Sequence, residues 1–547
     1  MKFLRRRRAE GLAPDAEAGV PTKGDVLADG GASSQLILRP YRRAMSRGRF
    51  TLLIALVILF SFIYGAGFAF TGQTFLVQFA FPLGFLGALV IWALPELGRA
   101  PTRALEVLLF AFFLGLWWPN YLAIALPGLP WITIVRLTGF PLTFILLVSV
   151  SCSQAFRSKM AATLKATPFT WKLLTGFAVY QCLSLALSKT PQTSLNKLIV
   201  AQISWTAVYF ASVAVFSKPG RAERWAFTIW IMAMILSADG AWEFRLQHPP
   251  WAGHIPSFLA VADDSVQRSL SGVVRAGSDR YRVQGDYSTS LGLAEFLALS
   301  TPFALHFIAD KYRVVRRLAA VISLPIILYT IILTDSRLGM IGFMLSILLY
   351  LLMWGALRWR SDPRSFIGPA VVISYPILFC GFIAASFAIP RLRVITWGGG
   401  KQASSTEARV EQVRRGLPMV LTHPFGHGIG RGAETLGFLN PSGILTIDTY
   451  YLLIALEYGV FGFALFYGMI ILAGVESFQG ILIGPKEREQ TLLMPITVCL
   501  ICFFVIKSIY SGVENQPLVY MMLGIVTALC ARIKAASPTV NQKAAAA

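Results

Sequence analysis

Apolar runs of 18 or more residues recur from Phe50 to the C-terminus, and no other feature constrains the fold of this chain as strongly. A helix of about 20 such residues crosses a hydrocarbon core roughly 30 Å thick. Inside lipid each backbone N–H and C=O must be satisfied within the segment, so runs of this length span as helices. Only 14% of the residues are charged against 55% hydrophobic, and mean hydropathy is +0.62. A soluble domain carries roughly 25% charge. The expected fold is therefore all-α, a polytopic membrane protein with about fourteen transmembrane helices.

The expected spans are about 50–71, 74–95, 104–125, 130–152, 168–187, 193–217, 223–240, 289–309, 316–333, 337–357, 366–390, 447–474, 491–509 and 516–533. Basic residues favour cytoplasmic loops, and the connections alternate accordingly. PELGRAPTR, SQAFRSKMAATLK, SKPGRAER, ADKYRVVRR, ALRWRSDPRS, GPKEREQ and the terminal ARIK are each rich in Lys or Arg. The intervening short loops are poor in them, apart from KTPQTSLNK. This places both termini in the cytoplasm. The chain then divides into a basic cytoplasmic tail (1–49), helices 1 to 7 (50–240), a long periplasmic loop (241–288), helices 8 to 11 (289–390), a second long periplasmic loop (391–446), helices 12 to 14 (447–533) and a cytoplasmic tail (534–547).

The formal charge of +22, from 49 Lys and Arg against 27 Asp and Glu, sits in short loops beside apolar spans. That is the signature of membrane topology, and no nucleic-acid partner is expected. The arginines of MKFLRRRRAE, among the 49 residues that precede an apolar run lacking a cleavage signal, can touch anionic lipid. All six cysteines lie in or beside apolar spans, so Cys499 and Cys502, despite CxxC spacing, read as small buried hydrophobes. No nucleotide-binding loop, nucleophile elbow or HExxH motif occurs. A reaction outside the membrane would need a substrate that arrives already activated. No repeat of the halves is evident, which counts against a symmetric transporter.

Unusual polar residues gather in the two long loops and at the spans that follow them. RAGSDRYRVQGDYSTS sets Arg275, Arg280 and Arg282 before a membrane helix. Snorkelling to lipid phosphates accounts for Arg275 and Arg280 as readily as binding does. In ILTDSRLGMIG, Asp335 and Ser336 can cap a helix start, but Arg337 in a first turn opposes the helix dipole, so capping does not explain it. A forked guanidinium there suits a phosphate or carboxylate. TEARVEQVRRGLPMVLTH has helical spacing at Val410, Val413, Leu417 and Val420, and HPFGHGIGRG follows it with alternating glycines that can turn tightly near an anion. His423 and His427 are four apart, but Pro424, Gly426 and Gly428 oppose a helix, so no metal site is expected. They remain candidates for hydrogen bonding or base chemistry, or are solvated loop residues. In TIDTYYLLIALEYGVFG two acids enter an apolar run, where a central charge costs roughly 2.5–3.5 kcal/mol. Asp448 stands at the helix mouth, as cap or as base. Glu457 lies on the opposite face and is expected to pair with a polar group of a neighbouring span.

These motifs resemble the O-antigen ligase and O-antigen polymerase superfamily of bacterial membrane proteins. RVQGDYSTSLGLAEF is similar to its Arg-x-x-Gly-aromatic entrance (Arg282, Gly285, Tyr287), and LTDSRLGMIGF to its Ser-Arg-x-Gly helix start (Ser336, Arg337, Gly339). The stretch from Arg409 through HPFGHGIG to DTYYLLIALEYG is similar to its loop helix, glycine turn and Glu-x-Gly segment. The resemblance covers residues 270–475. It implies a GT-C-like membrane glycosyltransferase of the bacterial inner membrane that works at the periplasmic face without metal or cofactor. Its substrate would be a glycan on undecaprenyl diphosphate, and a flippase and a chain-length regulator would be its partners. Where ligases carry His-Asn, this chain has Asp448 and Thr449, which favours a polymerase in O-antigen, capsule or exopolysaccharide synthesis over a ligase to lipid A-core. A flippase is the more distant alternative. The roles so implied are Asp448 as catalytic base, Arg282, Arg337, Arg409 and Arg431 at the donor diphosphate, and His423, His427, Tyr450 and Tyr451 at sugar or acceptor.

Overall fold

The structure is a computed structural model that describes residues 51–536 except 53, 60, 63–64, 66–80, 97, 127–129, 262, 273–279, 310–312, 389–402, 441–442 and 485–486. The expected N-terminal tail, most of the C-terminal tail and Arg275 lie outside the described residues. Two compact units divide at Ile63 and Tyr64. In the first, the described residues 51–52, 54–59 and 61–62 are helical. All that follows concerns the second.

Its elements run α1 (Phe81–Ala93), α2 (Thr102–Gly115), β1 (Ala123–Ile124), β2 (Ile132–Thr133), α3 (Ile134–Cys152), α4 (Gln154–Leu164), α5 (Pro168–Ser184), α6 (Pro191–Phe216) and α7 (Arg221–Leu246). There follow α8 (Asp264–Leu270), α9 (Ser290–Ala309), α10 (Val314–Leu333), α11 (Arg337–Ser361), α12 (Ile367–Ala388), α13 (Ala403–Thr422), α14 (Gly432–Leu436), α15 (Tyr450–Ile483), α16 (Leu493–Ile506) and α17 (Gln516–Ala536). The chain is mostly helical. The small departure from all-α is the antiparallel ribbon β1–β2, which pairs Ala123 with Thr133.

Among the described residues nine helices are long and apolar enough to cross a membrane, against about fourteen expected from the sequence. The nine answer to the expected spans at 130–152, 193–217, 223–240, 289–309, 316–333, 337–357, 447–474, 491–509 and 516–533. Of the other five, 50–71 and 74–95 fall partly outside the described residues. The run 104–125 stops as a helix at Gly115, because Pro119 and the ribbon follow. The run 168–187 forms 17 residues of α-helix with a 3₁₀ turn at Leu185–Leu187. The run 366–390 is α12, whose described apolar stretch is Ile367–Leu378. Hydropathy registers apolar length and not the backbone breaks inside it.

Helices α9, α16 and α17 form the interior, with about four fifths of their apolar windows buried (83%, 78% and 78%). The outer helices α3 and α10 are 28% buried and carry exposed rows such as Leu318, Ile322 and Tyr329. Lipid is as apolar as leucine, so close contact between spans depends on small residues. A Cβ on Gly339 would stand 2.8 Å from the Cβ of Ala294, and one on Gly342 would stand 2.7 Å from that of Ala298. The glycines of SRLGMIG therefore seat α11 directly on α9.

Helix α15 is not one span. Gly459, at φ 63° and ψ −167°, breaks it, and the carbonyl of Pro424 takes the Val460 N–H at 3.0 Å across the break. A Cβ on Gly459 would collide with that Pro424 carbonyl, and one on Gly426 with the carbonyl of Glu457. Glycine is therefore required on both sides. The residues after the break, 460–483, are 24 in number and about 36 Å long, enough to cross a bilayer without the first turns. Glu457 thus precedes the spanning part of its helix. Its carboxylate accepts the Gly432 N–H at 3.4 Å, while Gly428 N–H binds its backbone carbonyl at 3.0 Å. The glycine loop binds this acid, and Lys197 of the neighbouring span α6 attracts its charge.

Candidate functional site

Three loops meet at one end of the bundle, and their contacts are set by single polar residues. The first carries Arg282. Buried Glu243 of α7 accepts the Tyr281 hydroxyl at 2.6 Å, the Gln284 N–H at 3.1 Å and the Gly285 N–H at 2.6 Å. Gly285 adopts φ 55°, which suits glycine. This clamp forms the Arg-x-x-Gly turn. The turn lies along the end of α10, where Val283 N–H donates to the Leu333 carbonyl at 3.2 Å and Arg282 Nε to the Thr334 carbonyl at 3.1 Å.

Arg337 begins only three residues beyond Thr334. Ser336 caps α11 by accepting the Gly339 N–H at 3.4 Å, while Asp335 takes φ 46°. Arg337 is exposed at the helix start. Two motifs 55 residues apart in the chain thus become neighbours through the carbonyls that close α10.

The second loop carries Asp448, just ahead of α15. Its backbone N–H donates to Gln412 Oε1 of α13 at 2.8 Å, and Arg409 Nε of the same helix stands 3.9 Å from its carboxylate. Gln412 is fully buried, whereas the Asp448 side chain keeps 30% of its surface exposed. Burial pushes the Asp448 carboxyl above its usual value, and Arg409 and Gln412 pull it back part of the way. Thr449 caps the helix by accepting the Leu452 N–H at 3.3 Å, so Asp448 is not needed as the cap.

The third loop, residues 507–515, ties the other two together. Lys507 forms a wholly buried ion pair with Glu295 of α9 at 2.7 Å, and its carbonyl accepts the Tyr450 N–H at 3.0 Å. Ser511 Oγ donates to the Ile447 carbonyl at 2.5 Å. Glu514 accepts the N–H and hydroxyl of Ser288 at 3.1 and 2.7 Å, and Tyr287 donates to Asn515 at 3.0 Å. One short loop therefore touches both the mouth of α15 and the turn after Arg282. In that turn, burial first and then the nearby Asp239 and Glu243 raise Asp286 to about 8.

The remaining expected residues fall elsewhere. Tyr450 is 1% exposed, its ring packed on Phe466 with the Lys507 ammonium 5.4 Å from its centre, so it faces the core and not a sugar. Tyr451 donates its hydroxyl to the Phe504 carbonyl at 2.7 Å and packs among Phe463, Tyr467 and Phe504. Arg431 pairs with Glu434 at 2.5 Å and donates to Thr190 at 3.1 Å. His423 and His427 stack at 4.5 Å beside the break in α15, where His427 reaches the Leu456 carbonyl at 3.1 Å and burial holds its pKa down. The histidines, Arg431 and Glu457 thus gather around the glycine loop, a separate cluster from Asp448 and Arg409. Among the described residues no group of three or more His, Cys, Asp or Glu side chains could hold a metal ion.

Sequence reading singled out neither Glu243, Glu295 and Lys507 nor Gln412. A signal existed for Glu295 and Lys507, each a lone charge inside an apolar run, where ionisable residues are costly and usually functional, whereas Glu243 fell beside Arg245 in the expected loop 241–288. Gln412 had none.

No curated protein matches the chain significantly. Residues 319–467, which include Ser336, Arg337, Arg409, Gln412 and Asp448, match the family model described as O-Antigen ligase, which agrees with the resemblance to the ligase and polymerase superfamily and supports a glycosyltransferase role of that kind.

Proposed function

We propose that the protein is a polysaccharide polymerase that transfers glycan from undecaprenyl diphosphate onto another lipid-linked repeat unit at the periplasmic face of the bacterial inner membrane. The observation that carries this reading is the joining of three motifs at one end of the bundle. Arg282 lies on the turn before Arg337, and the 507–515 loop links that turn to the mouth of α15 with its Asp448–Arg409 pair. Asp448 takes the proton of an acceptor hydroxyl as its oxygen bonds to the anomeric carbon of the donor. The bond from that carbon to the diphosphate oxygen breaks, and its electron pair leaves with the diphosphate. Arg282 and Arg337 stabilise the charge that grows there. Arg409 favours the ionised base, and Arg431, already paired with Glu434, is left out.

The description of the matched family favours a second reading, a ligase that transfers the glycan to lipid A-core. Deletion separates the two. Loss of a ligase leaves long chains on undecaprenyl diphosphate, whereas loss of a polymerase leaves single repeat units. Chain-length analysis of surface polysaccharide in Asp448→Ala, Arg282→Ala and Arg337→Ala strains tests the mechanism. Normal polymer in all three at normal protein level sinks it.

A further inference from the structure

A cavity of about 590 Å³ opens beside the 507–515 loop, lined among others by Asn120, Trp131, Arg136, Asn196, Trp205 and Glu514. We propose that it is the acceptor-sugar subsite, an inference that rests on the glycosyltransferase reading above. Its size lies within the range of roughly 300–1,000 Å³ typical of small-ligand pockets. Its position is continuous with the candidate site, because Glu514 Oε1 holds Ser288 in the turn after Arg282.

The lining has the chemistry of a polyol site. Asn120 Oδ1 and Glu514 Oε2 are buried oxygens with no hydrogen-bond donor among the described residues. Buried acceptors of this kind call for donors, and a sugar hydroxyl supplies one as the Asn120 or Glu514 side chain turns toward the cavity it lines. Arg136 is aimed by the Trp131 carbonyl at 2.5 Å and by Asn196 Oδ1 at 2.8 Å, and its guanidinium has further N–H groups to offer oxygen. One cation and one carboxylate leave the cavity without net charge, which suits a neutral glycan better than a phosphate. Trp131 and Trp205 provide the flat apolar surface on which a sugar face packs.

Two backbone features build the space. Gly292 clears it for the carboxylate, since a Cβ there would stand 2.5 Å from Glu514 Oε2. A π-helical turn at Gln202–Thr206 interrupts α6 and brings Ser204 and Trp205 to the wall. Such turns are rare and recur at functional sites.

The test uses the full-length protein in lipid nanodiscs. The probe is the oligosaccharide released by mild acid from the lipid-linked glycan that accumulates in a deletion strain, and binding is followed by tryptophan fluorescence and by calorimetry. Loss of one buried hydrogen bond is expected to weaken binding about tenfold in Asn120→Ala and at least as much in Glu514→Gln. Asn120→Ala removes an oxygen without a hydrogen-bond partner among the described residues, so its fold is retained even if Glu514→Gln disturbs Ser288. Binding within about twofold of the native protein in both variants, or no binding to the native protein, overturns the subsite while the transferase reading stands. A deletion strain with unchanged polysaccharide overturns that reading and the subsite with it.

Discussion

Asp448 stands 3.9 Å from Arg409, and that separation governs when it can accept a proton. Burial raises its carboxyl and Arg409 lowers it, so the two effects oppose. A base works only when ionised, so transfer falls as pH drops through the Asp448 value. Arg409→Ala removes the lowering charge, and the acid limb of kcat/KM is expected to move to higher pH, with Arg409→Lys recovering part of the shift. An unmoved acid limb in Arg409→Ala means that Asp448 is not the titrating base. Asp448→Asn keeps the shape but cannot accept a proton, and transfer is expected to fall by roughly 10²–10⁴-fold. Turnover of lipid-linked glycan by purified protein measures both. The sequence made Asp448 a candidate, because an acid at the mouth of an apolar run is unusual. Its pairing with Arg409 was beyond reach, since 38 residues of loop and helix intervene.

At the scale of elements, short polar contacts hold the site-bearing turns. Glu243→Ala leaves the Tyr281 hydroxyl and the Gln284 and Gly285 N–H groups without their acceptor, and each buried unmet group costs about 1–3 kcal/mol. The turn at 281–289 is expected to open. Limited proteolysis there should quicken and transfer should fall, while α9 and α11, locked by Gly339 and Gly342, stay packed. Equal proteolysis in native and variant protein argues against the clamp. Gly459→Ala forces alanine into a positive φ and drives its Cβ into the Pro424 carbonyl. A loss of at least about 1–3 kcal/mol is expected, read as a lower thermal midpoint in detergent. A midpoint equal to that of the native protein shows that the break can be healed. The glycine loop and the Glu-x-Gly segment were visible as motifs. Their mutual closure was not, because a helical reading of α15 carries straight through Gly459.

At the scale of the molecule, the structure places the 281–289, 444–449 and 507–515 loops together at one end of the bundle. From the charge pattern of the short loops we propose that this end faces the periplasm. In a background lacking the six native cysteines, Gly253→Cys and Gly443→Cys are expected to react with a membrane-impermeant maleimide added to whole cells, and Lys159→Cys only after lysis. Labelling of Lys159→Cys in intact cells reverses the assigned topology.

The sequence by itself determined that the chain is a bundle of membrane helices. Apolar length and loop charge are one-dimensional quantities, and lipid enforces their consequence residue by residue. It also marked Arg282, Arg337, Asp448 and the glycine loop, because charge and turn residues stand out against so apolar a background. The tertiary structure decided which of these meet. Arg282 reaches the turn before Arg337 through the carbonyls that end α10, and the 507–515 loop joins them to Asp448, while Arg431 and the histidines gather elsewhere. It also decided that Glu457 lies ahead of its span and that Tyr450 faces the core. Such outcomes depend on single hydrogen bonds between segments far apart in the chain and on one left-handed glycine, and neither leaves a periodic trace in the sequence.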